Sequence, residues 1–431
     1  MSTKPEPGQS WRSAHIYYYE PDKTGLLLDA VRPLLGRLRD VAPSAHVLRH
    51  WRRGPHLRLN IRASDRTWTG IVKPAIDEVI GGYLAAHPST ARLDEGTTLA
   101  QHELLAKVEK EHGPLTPWFP DNSIQYAAYD DRLHVLRDPE AADLLADFYT
   151  ESTPLLFQML DQVRTGHERP ELIGLSVMLA NSVTAMPPIT HSYVSYRSHA
   201  EGFICLCADP GTTRRQFDDY YTDNRAALTA RVRAVMATLE GDGADPVAFV
   251  RDWAGLIARF RDRATPLIAA GKLIRPPAYD QNQAATTPNE LHNMMFGNRA
   301  YHKAVFENPE FSRYRLLINY TYLHISRLGL TPPQRFRLCH LAANAVEEVY
   351  HRNAIEEIRL YVSAHPDQAR TRVNEVLRPR KAEPPACALI RSAAGSCAST
   401  PPRGRPARCC RTMPCRPRPS QATVAAGCVG E

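Results

Sequence analysis

At 431 residues, with 43% hydrophobic and 23% charged residues, the chain has the make-up of a globular protein with room for one large domain or two ordinary ones. No apolar run approaches the roughly 20 residues of a membrane span, and the opening MSTKPEPGQSW has no apolar signal core, so a cytoplasmic protein is expected. The net charge of +7 is unevenly placed: residues 382–431 hold seven arginines against Glu383 and Glu431, so +5 of it lies there, and the near-neutral body gives nucleic-acid binding no support.

In chain order, residues 14–19 (AHIYYY) read as a strand, and Gly25 to Val41 as a helix interrupted only by Pro33. His46 to Arg62 (HVLRHWRRGPHLRLNIR) reads as two strands joined at Arg53-Gly54-Pro55. Trp68 to Ala86 is amphipathic, with Pro74 as a start or kink, and Leu99 to Glu111 is a short helix. The Pro-rich loop GPLTPWFPDN follows, carrying Trp118 and Phe119, then a weak strand from Ile124 to Tyr129. Asp138-Pro139-Glu140 starts a helix that runs to about Val163. Beyond it the pattern is helical over 172–185, 193–207, 212–239, 246–270, 299–306, 314–328 and 333–358, with a polar surface loop between Ala270 and Asn298. The expected fold is α+β: a small antiparallel or mixed sheet near the N-terminus packed with a large helical portion in a single catalytic domain.

The segment 382–431 differs from the rest. It has eight prolines, six of the nine cysteines and no periodicity, so it is expected to be disordered, and its composition suits a frameshift near codon 382. The body keeps Cys205, Cys207 and Cys339, which suits a reducing compartment and lacks the paired spacing of a zinc site.

Alternation places His56, Arg58, Asn60 and Arg62 on one face of the second hairpin strand and Leu57, Leu59 and Ile61 on the other. With His50 and Arg52 from the first strand, that polar face suits an anion, above all a carboxylate gripped by arginine. A solvated basic hairpin is the plainer reading of the same charges. On the helix RYRLLINYTYLHISRL, Tyr320, His324 and Arg327 share a face, an acid/base group beside a cation; the alternative is a core edge. In ITHSYVSYRSHAEGF, Tyr196, His199 and Phe203 form one row with His191, Ser195 and Ser198 nearby, which implies a cavity or an internal hydrogen-bonded network. There is no Gly-x-Ser-x-Gly elbow, Walker loop, dinucleotide fingerprint or His-Glu-x-x-His, so hydrolase, nucleotide and zinc chemistry lack a signature.

The hairpin RHWRRGPHLRLNIR resembles the R-x-G-P-H-L-R-L-x-x-R signature of the C-terminal domain of lantibiotic dehydratases, a domain that also stands alone in thiopeptide biosynthesis. TYLHISRLGLTPPQRFRLCHLAANA resembles that domain's closing H-x-x-x-N-R-L-x-G helix, and DDRLHVLRDPEAADLLADFYTEST is similar to the segment following its middle E-x-x-R-Y-G-G element, in family order over residues 11–360. The resemblance implies a cofactor-free lyase that eliminates glutamate from glutamylated Ser or Thr of a precursor peptide to give dehydroamino acids. It also implies a glutamyl-transferring dehydratase partner. By position, Arg52 and Arg58 match arginines of the hairpin signature, Arg132 that of the middle element and Arg327 that of the closing helix. The resulting catalytic candidates are Arg58, Arg132, Tyr322 and His324; Arg52, His56, Arg62, Arg327 and Trp118 are candidates for substrate binding, and no metal is called for.

The chain departs from the family pattern at two places. The middle element lacks Tyr-Gly-Gly, and Tyr322 stands where the elimination enzymes carry histidine, with Ser326 in place of asparagine. The thiopeptide pyridine synthases share the fold without the elimination residues. They join two dehydroalanines in a formal aza-cycloaddition, then expel water and the leader peptide, which gives the alternative reading. A third is a non-catalytic protein that holds a precursor peptide by its leader through the Trp118 loop and an exposed strand edge.

Overall fold

Alternating side chains at the N-terminus build a four-stranded antiparallel sheet. In the computed structural model, which describes residues 8–242, 245–273, 279 and 289–366, its strands are β1 (Gln9–Tyr17), β2 (Ala45–His50), β3 (His56–Ser64) and β4 (Ser123–Ala128), in the order β2-β3-β1-β4. β1 begins five residues earlier than the expected 14–19, because the polar-facing Trp11 and Ser13 keep the alternation going and pair with Arg62 and Asn60. The β2–β3 turn is where the sequence placed it. Gly54 has φ +111°, and a Cβ there would lie 2.5 Å from the Tyr19 hydroxyl, so both backbone and space require glycine.

The register separates two faces. Ala14 opposite Leu59 and Ile16 opposite Leu57 form the apolar one. It joins a continuous core with Leu27 and Leu34 of helix α1 (26–38) and Ile76 and Ile80 of helix α2 (65–86). Pro33 and Pro74 lie in the first turn of the regular α-helical part of each, where proline's missing N–H costs little. The other face is polar, with Tyr17 opposite His56, His15 opposite Arg58, and His50 and His46 opposite His56 and Asn60.

Helix α3 (Glu95–Glu109) and the loop after it lead into β4. Helix α4 (Pro139–Arg164) starts where Asp138 accepts from the Glu140 amide at 2.9 Å, and it packs on β2. Helix α5 (Pro170–Ala185) is apolar nearly all round and is therefore buried, against α7 (Pro210–Glu240), α8 (Val250–Ala269), α9 (Pro309–Arg327) and α10 (Pro332–Tyr350). Helix α6 (Val194–Leu206) packs on α10. The fold class is the expected α+β arrangement, with a small antiparallel sheet and a large helical portion.

Two expectations need correction. The single helix over 333–358 is two, because His351 takes φ 52° and Asn353 caps α11 (Ala354–Ala364) through the Glu356 amide at 2.9 Å. The expected loop between Ala270 and Asn298 contains a helix, Glu290–Phe296, capped by Asn289. The segment 382–431 and its proposed frameshift origin lie outside the described residues. No single described helix is long and apolar enough to cross a membrane.

Candidate active site

Arg58 stands at the centre of the polar sheet face, 5% exposed, and donates from Nη1 to Asp130 Oδ2 at 3.1 Å. Burial lowers its pKa, while Glu111 and Asp130 act in the opposite direction. Around it three imidazoles cluster, with His15 stacked on His56 at 4.8 Å and His50 tilted against His56 at 5.2 Å between ring centroids. All three are held neutral. His15 is pushed down to about 3 by burial and then by Arg58 and Arg52, and burial first of all drives His50 and His56 well below the ordinary range. His50 Nδ1 accepts from the Arg52 amide at 3.1 Å, so its Nε2 carries the proton and faces Glu111 Oε1 at 3.3 Å. His56 Nδ1 sits 2.8 Å from the Gly54 carbonyl, which makes it the donor and leaves Nε2 buried without a partner.

The chain leaving α3 turns at Lys110 (φ 53°) and lays Glu109 and Glu111 over this face. The Glu111 carboxylate, 3% exposed, receives Arg132 Nη1 and His50 Nε2, with Arg52 Nη1 at 3.5 Å. Glu109 accepts from Trp51 Nε1 at 2.9 Å, and burial raises its pKa. Ligand atoms of His50, Glu109 and Glu111 lie within 4.8 Å of one another, a spacing that would suit a cation. Arg52 and Arg132 already pair with Glu111, so that carboxylate is shared with two guanidinium groups and not free for a cation. Arg52, Asp130 and Arg132, each 27–29% exposed, form the mouth above the buried Arg58.

A second group meets between α6, α9 and α10. Tyr322 Oη lies 2.8 Å from His199 Nδ1 and 3.2 Å from Cys339 Sγ, and the Arg335 guanidinium sits 5.0 Å over the Tyr322 ring. Burial, followed by the Arg335 charge, pushes His199 down to about 3, and burial drives the Tyr322 phenol well above its usual range. Both are neutral near pH 7, as a donor–acceptor pair for proton transfer needs. The Arg335 charge also acts on Glu109.

The structure thus gathers Arg52, His56, Arg58 and Arg132 on one face, while Tyr322 lies in the group between α6, α9 and α10. His324 is not among them. It is fully buried, with Nε2 3.2 Å from Met159 Sδ and its ring 4.5 Å from Trp253, so the helix face shared by Tyr320, His324 and Arg327 turns into the core. Arg327 is also committed internally, donating to the Val47 carbonyl at 2.9 Å, Ser152 Oγ at 2.8 Å and Thr153. It ties β2 to α4. Arg62 lies toward the other end of the polar face, over Trp11 at 5.9 Å. Trp118 packs edge-on to Tyr19 beside the hairpin turn. The row around Tyr196 resolves as an internal network with Ser182 and Tyr314.

Sequence reasoning passed over Glu109, Glu111 and His15. The signal for His15 was the strand alternation; for the glutamates there was none, because only tertiary packing brings the end of α3 over the sheet.

A sheet face of buried arginine and neutral histidines offers a cation and uncharged imidazoles to a polar ligand. The profile of the lantibiotic biosynthesis dehydratase C-terminal family matches residues 11–346, and the chain belongs to that family. The chain is similar to the structure of "Pyridine synthase, TbtD, from thiomuracin biosynthesis", with 35% identity, 79% of this chain and 99% of that one covered, and a TM-score of 0.66. It shares its fold with TsrL at 23% identity, over 81% and 98% of the two chains, with a TM-score of 0.62. A tRNA-dependent lantibiotic dehydratase, MibB from Microbispora sp. 107891, aligns at 12% identity over 81% of this chain and 29% of its own, with a TM-score of 0.47. No curated protein matches the chain.

Proposed function

We propose that the protein is a pyridine-forming cyclase acting on a precursor peptide of the thiopeptide type. The observation that carries this reading is the 35% identity to a pyridine synthase over 99% of that protein's chain. Tyr322, in place of the elimination enzymes' histidine, agrees with it and weakens the glutamate-elimination reading.

The reaction joins two dehydroalanines and one backbone amide. Two C–C bonds, one between the β-carbons of the two dehydroalanines and one between the second dehydroalanine's α-carbon and the amide carbonyl carbon, close a six-membered ring around the amide nitrogen, and loss of water and of the leader peptide as its amide completes the pyridine. No oxidant is needed. The reacting amide must first become its imidic acid, gaining a proton on oxygen and losing one from nitrogen. Arg58, with Arg52 and Arg132 at the mouth, binds and polarises that carbonyl. The neutral Tyr322–His199 pair gives and takes the proton. Glu111 holds the two mouth arginines and His50 in place. His324 and Arg327 have no part in the chemistry on this account. An upstream dehydratase must supply the dehydroalanines.

Mass spectrometry of two reactions tests the proposal. A peptide carrying two dehydroalanines behind a leader should give the ring and a freed leader amide, while a glutamylated peptide should keep its glutamate. Glutamate loss without ring closure would restore the elimination reading.

A further inference from the structure

A cavity of about 700 Å³ opens beside β4, apart from the Arg58 floor. Its walls are aromatic: Trp11 stacks on Tyr129 at 5.2 Å, and Trp68 meets Tyr126 edge-on at 5.9 Å. The Tyr126 hydroxyl donates to Asp77 at 2.6 Å, which fixes that wall. Where Ala128, Ala142 and Ala146 line the space, small side chains leave it open. Asp131 and Asp143, both exposed, stand at its rim; neither forms an ion pair among the described residues, and Arg62 acts on Asp143 only at longer range against Asp147 and Asp131. Arg12, the rim's cation, is engaged by Asp65.

β4 is also the edge of the sheet. Among the described residues its six-residue backbone pairs with β1 alone, so the outward N–H and C=O groups form an open template for another strand. An open strand edge calls for an extended backbone, an aromatic cavity for a large apolar side chain, and two exposed carboxylates outside any described ion pair for a cation. Only an extended peptide carries all three. β4 runs directly into Asp130 and Arg132 at the mouth of the candidate active site, so a peptide laid along it is led there.

We infer that β4 and this cavity dock an extended peptide segment by strand addition, with a large apolar side chain in the cavity and a basic residue against Asp131 and Asp143. The inference rests on the proposed function only in naming the occupant as part of the peptide substrate.

Binding is measured on the full chain by anisotropy of fluorescein-labelled Lys-Thr-Val-Phe-Val-Thr amide, with hydrogen exchange of residues 123–128 as a second readout. The expected results are slowed exchange in β4, and about tenfold or greater weakening on replacing the peptide's Phe with Gly, the buried area of one aromatic side chain. Ala128→Trp, which fills the cavity from an exposed position, should weaken binding similarly, and Asp143→Lys should weaken it for the Lys peptide. Absence of wild-type binding, or equal binding by Ala128→Trp, would overturn the inference. A protein that binds this probe yet forms no ring overturns the cyclase reading and leaves the docking site standing; ring formation without probe binding does the reverse.

Discussion

The Tyr322 hydroxyl lies 2.8 Å from Nδ1 of His199, a contact between α9 and α6 across 123 residues of sequence. Both groups are neutral near pH 7, and on the proposed function they give and take one proton. On the proposed mechanism Tyr322→Phe, which keeps the packing and removes the hydroxyl, lowers kcat about a hundredfold or more with little change in KM. Steady-state kinetics on a bis-dehydroalanine peptide measures this; an unchanged kcat removes Tyr322 from the proton path.

Glu111 supports the site from below its mouth. Glu111→Gln keeps the shape but leaves Arg52 and Arg132 without their counter-charge. Because both arginines are partly exposed, the stability cost should be about 1–2 kcal/mol in urea unfolding. Turnover should fall about tenfold through loss of preorganisation. Full activity at normal stability would show that the arginines hold their places unaided.

His324 and Arg327 separate core from site. Arg327→Met strands the Val47 carbonyl and the Ser152 and Thr153 hydroxyls, for an expected loss of about 2–4 kcal/mol. The folded enzyme should keep its kcat, as should His324→Leu. A selective loss of kcat in either variant, with stability intact, would return that residue to the chemistry.

The neutral histidines make the fold acid-sensitive. His15 falls from 6.5 to about 3 on folding, and His46, His50 and His56 fall well below 6.5. Each binds a proton more readily when unfolded, so stability is full above pH 6.5 and is lost as pH falls from there toward 3, by up to about 1.4 kcal/mol per pH unit for each histidine. Urea midpoints at pH 7.5, 6.0 and 5.0 should fall in that order. A flat series would mean the imidazoles are charged in the native state.

The elements that announce themselves locally were legible in the sequence. The Arg53-Gly54-Pro55 turn, the alternation of Leu57, Leu59 and Ile61, and the Asp138 cap each act within a few residues, and each appears where the sequence placed it. Periodicity also put Tyr320, His324 and Arg327 on one helix face, but it cannot say whether that face meets a site or a core. Trp253, Met159 and the Val47 carbonyl decide it, and all three come from distant segments. Arg58 was found because a strand motif carries it. Glu111 was not, because its importance lies in three partners that only the fold assembles. The break at His351 was missed because an apolar pattern continues across it on both sides.

The most direct test of the account offers the enzyme an equal mixture of a bis-dehydroalanine peptide and a glutamylated peptide with the same leader, followed by mass spectrometry. The first should lose water and its leader and the second should remain intact, and in Arg58→Ala the first should also remain intact. Consumption of the glutamylated peptide with release of glutamate, while the bis-dehydroalanine peptide persists, would contradict it.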